Sequence, residues 1–96
     1  MTAIHDELIQ GFRKQSDKTH ADKVFDWYEK NKETTDPWFE FRVSKNVIDR
    51  KFPYLTEEEK KMYAILLLCP YNNDSSRSDL RRAVFIINER RAFNQS

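Results

Sequence analysis

The residues able to act as nucleophiles or metal ligands are few and scattered. His5, His20 and Cys69 are the only His and Cys residues. A zinc centre draws on three or four such ligands, and none of these three has a His or Cys companion three or four residues away. His20 and Asp22 are too weak a pair to read as an acid–base couple. Ser75, Ser76 and Ser78 lack a flanking glycine, so no nucleophile elbow is present. Asp22, Asp26 and Glu29 alternate with Lys23 and Lys30, the pattern of a solvated helix face with an Asp26–Lys30 pair. Gly11 is the single glycine, which excludes a glycine-rich phosphate loop and a dinucleotide fingerprint. We therefore expect no catalytic residue, no cofactor site, no metal site and no enzymatic activity.

Binding chemistry is better represented. Arg77, Arg81, Arg82, Arg90 and Arg91 crowd the C-terminal stretch, against only Asp79 and Glu89, a local balance of +3. Arginine forks suit phosphate and carboxylate, so these five are the candidate nucleic-acid contacts. Their azimuths differ, however, and they do not form one stripe. The whole chain carries a net charge of only +1, which argues against a general polyanion binder. Trp, Tyr and Arg, the residue types enriched at binding hot spots, are all plentiful. Trp27 sits about 110° from the centre of its own helix stripe and shares that flank with His20 and Asn31. Ile86 and Phe93 also leave their stripe. These five, Trp27, His20, Asn31, Ile86 and Phe93, are the candidate partner-binding residues.

The elements that must position them read as helices. A 96-residue chain that is 39% hydrophobic and 34% charged supports one domain with one modest core. We expect residues 1–96 to form a single all-α bundle of four to five helices. The first helix is predicted from Thr2 to Lys14, with Ile4, Leu8, Ile9 and Phe12 inward; Gly11 either weakens it or permits a close crossing. The second is predicted from Thr19 to Lys32, with Thr19 and Asp22 as a capping box and Ala21, Val24, Phe25 and Tyr28 as its core stripe. Asp36–Pro37 reads as a helix start. Trp38 to Phe52 favours helix, in one piece or two broken near Ser44, although the alternation over residues 38–43 is also compatible with an extended segment.

Thr56–Glu59 is a capping box opening a helix that runs to about Cys69, with Glu57, Glu58 and Glu59 read as a solvated first turn. Met62, Ile65, Leu66 and Cys69 form its stripe, and Leu67 and Leu68 point elsewhere. Pro70 to Arg77 reads as a polar loop, followed by a helix from about Ser78 to Phe93, capped by Ser76 or Ser78, with Leu80, Val84 and Ile87 inward. That connector is too long and glycine-free for a helix-turn-helix. Cys69, the lone cysteine in an apolar run, is expected to be buried and inert.

The longest apolar run, Met62 to Cys69, is far short of a membrane span. With no signal-peptide pattern at the N-terminus and no possible intramolecular disulfide, we expect a cytoplasmic protein. In size and lack of catalytic motifs the chain resembles the small accessory or inhibitor proteins that phages and mobile elements encode. The expected function is a non-catalytic interaction module that binds and modulates a larger protein or complex, with inhibition as one form of that modulation. The alternative is a nucleic-acid-associated protein using the C-terminal arginines. A homodimer through helices 56–69 and 78–93 is a further expectation, because both are apolar on more than one side.

Overall fold

The computed structural model describes residues 6–39 and 44–95. Among these it contains five α-helices and no strand: α1 Asp6–Gln15, α2 Lys18–Asn31, α3 Lys45–Lys51, α4 Glu57–Leu67 and α5 Asp74–Gln95. The radius of gyration is 12.6 Å, matching the ~12.5 Å expected for a compact chain of this length. The all-α bundle is therefore as the hydrophobic spacing predicts. Thr2, Ile4 and His5 lie outside the described residues, as do residues 40–43, so the question of extended backbone is answered only at residues 38 and 39, which stand in a turn.

That turn replaces the helix start expected at Asp36–Pro37. Asp36 does cap locally, since its Oδ1 accepts from Trp38 N at 3.1 Å, and Phe39 N donates to Asp36 O at 3.2 Å. The next described helix opens instead at Ser44, whose hydroxyl accepts from Val47 N. Two other helix starts shift in the opposite direction, because a better capping side chain stands upstream. Asp17, not Thr19, caps α2 by accepting from His20 N. Helix α5 begins four residues before the expected Ser78, because Asn73 and Ser76 form a reciprocal pair. Asn73 Oδ1 accepts from Ser76 N and Ser76 Oγ accepts from Asn73 N, both at 2.9 Å. Ser76 is thus a buried member of the first turn.

Helix α4 is the centre of the core. Met62, Tyr63, Ala64, Ile65 and Leu66 are all buried, and Leu67 and Leu68 pack partly against the same cluster. Around it stand Leu8 and Phe12 of α1, the complete α2 stripe of Ala21, Val24, Phe25 and Tyr28, Ile48 of α3, and Leu80, Val84 and Ile87 of α5. Two edge-to-face pairs, Phe12–Phe25 and Phe52–Tyr63, have ring centroids 5.6 Å apart, the preferred aromatic geometry. Gly11 serves the close crossing: an added Cβ would lie 3.3 Å from Ala83 Cβ, so α1 and α5 approach where neither carries bulk.

The acidic run at the start of α4 departs from expectation. Glu57 and Glu58 are exposed, but Glu59 is 1% exposed. The Thr56 capping box is formed as read. Glu59 additionally receives Arg91, with Nη1 to Oε1 at 2.6 Å and Nη2 to Oε2 at 3.0 Å. Burial pushes the Glu59 carboxyl up, and the hydrogen bonds from Arg91 and Thr56 outweigh it, leaving the group below its ordinary value. A carboxylate so satisfied can be buried; the spacing alone did not reveal its partner 32 residues away.

Candidate protein-docking site

Helix α5 is 22 residues long, about 33 Å at 1.5 Å per residue. Its inner face is fixed by Leu80, Ala83, Val84, Ile87 and Asn88, all buried. Asn88 Oδ1 accepts from Tyr54 N at 2.9 Å, and Arg91 Nη1 donates to Tyr54 O at 3.1 Å, so the Phe52–Leu55 connector is tied to this helix. Arg90 and Arg91 both pair with Glu7 of α1. Opposite this anchored face, Phe85 is 52% exposed, Ile86 45% and Phe93 80%. Three large apolar side chains on the outside of one helix form a patch of the kind that marks interfaces.

The arginines divide between the two sides. Arg77 pairs with Asp74 and donates to Leu67 O, and Arg90 and Arg91 are held by Glu7 and Glu59. Arg81 stands near Tyr63, whose hydroxyl is pushed up by burial and only partly lowered again by that arginine. Arg82 is exposed and has no ion-pair partner among the described residues. The five sequence-predicted arginines therefore do not converge.

Beside the apolar patch lies an open groove of about 540 Å³ lined by Lys51, Phe52, Ser78, Arg81, Arg82 and Phe85. Helix α3 forms its far wall. That short helix is held in place by a ring of four charges: Lys60 lies 2.9 Å from Asp49 and 3.4 Å from Glu57, and Lys45 lies 3.1 Å from Asp49 and 3.2 Å from Glu57. Hydrogen bonds from Lys60 and Lys45 hold the Asp49 carboxyl below its usual range, and the same two lysines lower Glu57. The groove thus presents an aromatic floor under a cationic rim. The sequence reading missed Lys51, Phe52 and Phe85 as its lining, because α3 and α5 are brought together only by the tertiary fold.

The predicted α2 flank is placed differently. Trp27 is partly buried and packs against the core. Asn31 Nδ2 donates to Trp27 O at 2.8 Å, and His20 Nε2 lies 3.3 Å from Asn72 Oδ1. Asn72 is itself buried and donates to Leu66 O at 2.8 Å. His20 and Asn31 thus have internal partners. Of the five predicted partner-binding residues, Ile86 and Phe93 stand on the outer face of α5, with Phe85 next to Ile86 in the patch.

Among the described residues, no group of three or more His, Cys, Asp and Glu is placed to hold a metal ion. No described helix is long and apolar enough to cross a membrane. Comparison with protein-family models, curated proteins and solved structures returns no match to this chain.

Proposed function

We propose that this protein is a non-catalytic interaction module that binds another protein through the outer face of α5 and modulates it by occupying its surface. One observation carries the reading: Phe85, Ile86 and Phe93 are solvent-exposed on a helix whose opposite face is locked into the core. Covering them removes apolar area from water, which stabilises a complex by roughly 25 cal/mol per Å² before the costs of association. Arg82 at the edge of the patch supplies a planar, unpaired guanidinium of the type common at hot spots.

A photoreactive phenylalanine analogue at position 93, with position 30 on α2 as control, tests this in cells. A defined protein adduct from position 93 and none from position 30 supports the reading. Adducts to nucleic acid, or equal protein labelling from both positions, contradict it.

The nucleic-acid reading retains a narrower basis, the Lys51–Arg81–Arg82 rim of the groove. Phosphate-driven binding of that kind falls steeply with log salt, whereas docking centred on Phe85 and Phe93 changes little.

A further inference from the structure

The outer face of α5 has a positional symmetry. Ser78, Arg82, Phe85, Ile86, Glu89 and Phe93 share that face, and Arg82 and Glu89, of opposite charge, stand at equal distances on either side of its apolar centre. At about 100° per residue all six fall on the side of the helix away from Leu80, Val84 and Ile87. Arg82 and Glu89 each stand three residues from the Phe85–Ile86 pair, both exposed and without an ion-pair partner among the described residues.

We infer that a second copy of this chain covers this face, with the two α5 helices antiparallel about a two-fold axis at Phe85–Ile86. The inference rests on the reading of α5 as a protein-docking face and names its occupant. A two-fold contact demands a self-complementary surface, in which each residue meets its counterpart reciprocally. Here the axis sets Phe85 beside the partner's Phe85 and Ile86 beside the partner's Ile86, closing the apolar centre. Arg82 meets the partner's Glu89, and Glu89 meets the partner's Arg82, so the two unpaired charges are matched twice over. Phe93 lies seven residues beyond Ile86, about 10 Å along the helix. It arrives at the level of the partner's Ser78 and extends the apolar strip on the Ile86 side. A parallel pairing would oppose like charges at both Arg82 and Glu89, which disfavours it. A larger protein that uses the same face competes with the second copy for it.

Sedimentation equilibrium on the full chain tests the arrangement by charge exchange. The wild type is expected to dimerise at micromolar to tens of micromolar concentration. Arg82→Glu and Glu89→Arg should each weaken dimerisation by about tenfold or more, because each opposes like charges at both reciprocal contacts. The double variant R82E/E89R should recover to within about threefold of wild type, since both contacts are attractive again. Circular dichroism should show all three variants folded, both side chains being exposed. A wild type that stays monomeric at high micromolar concentration overturns the inference. So does a dimer that the double variant fails to restore. If the wild type is monomeric while the position 93 crosslink still captures a different protein, self-pairing fails and the protein-docking reading stands. If position 93 captures no protein, that reading fails as well.

Discussion

Arg91 and Glu59 meet side by side, both guanidinium Nη atoms on both carboxylate oxygens, at 2.6 and 3.0 Å. Glu59 is fully enclosed, and Arg91 also reaches Glu7 and Tyr54 O. One residue of α5 thus ties together α1, the Phe52–Leu55 connector and the first turn of α4. This contact reinforces the side of α5 that Leu80, Val84 and Ile87 turn inward, and so the side left for a partner. Glu59→Gln leaves Arg91 short of a buried counter-charge and should lower folding stability by about 2–3 kcal/mol. Urea denaturation followed by tryptophan fluorescence measures it, and a loss well under 1 kcal/mol would deny Arg91–Glu59 this role.

Acid should weaken the fold through the same carboxylates. Glu59, Asp49 and Glu57 are all lowered from their ordinary values, Glu59 by Arg91 and the Thr56 cap against the opposing effect of burial, the other two by Lys45 and Lys60. In the unfolded chain such groups titrate near about 4. A carboxylate lowered in the folded state stabilises it fully above the unfolded value, and that stabilisation is lost as pH falls through the folded value. Stability should therefore be level near neutrality and decline from about pH 5 downward. In Glu59→Gln the decline should be shallower, because the substituted side chain no longer titrates. Denaturation midpoints taken between neutrality and acid provide the comparison.

Cys69 is completely buried beside the Met62–Ile65–Leu66 stripe, and burial pushes its thiol up from the ordinary value. A less acidic, enclosed thiol is a poor nucleophile. Labelling by a thiol reagent should be slow and should follow the unfolding rate, accelerating with added denaturant. Rapid stoichiometric labelling of the native protein would show the site to be open. Cys69→Asp should be severely destabilising, since a buried charge has no partner there.

Gly11 and Ala83 set the distance between α1 and α5. A Cβ at Gly11 is tight but helix-favouring, so Gly11→Ala should shift stability by less than about 1 kcal/mol. Gly11→Leu brings a branched side chain against Ala83 and should cost about 1–3 kcal/mol through overpacking. Thermal melts of the two variants check the ordering; equal melting would mean that the crossing is looser than the 3.3 Å approach implies.

Helical spacing made the core legible. The α2 stripe of Ala21, Val24, Phe25 and Tyr28 and the α4 stripe of Met62, Ile65, Leu66 and Cys69 are buried as read. Caps were less legible where two candidates compete: Asp17 takes α2 from Thr19, and Asn73 with Ser76 starts α5 early. The solvated reading of Glu59 failed because its partner comes from another helix. Similarly, Trp27 leaves its stripe yet packs on the core, because the flank of α2 is covered by neighbouring elements. Ile86 and Phe93 are visible as off-stripe residues. The groove beside them is not, since Lys51 and Phe52 reach it only through the fold.

The central claim is that the outer face of α5, not the flank of α2, meets another protein. Binding isotherms for Phe93→Glu and Trp27→Ala, against the protein captured by the position 93 crosslink (a second copy included), test it most directly. Phe93→Glu should stay folded, with wild-type stability, and lose at least about 2 kcal/mol of binding, roughly 30-fold in affinity. Trp27→Ala should lose stability while its folded fraction binds as the wild type does. Wild-type affinity in a folded Phe93→Glu, with binding lost in a stable Trp27→Ala, would contradict the account.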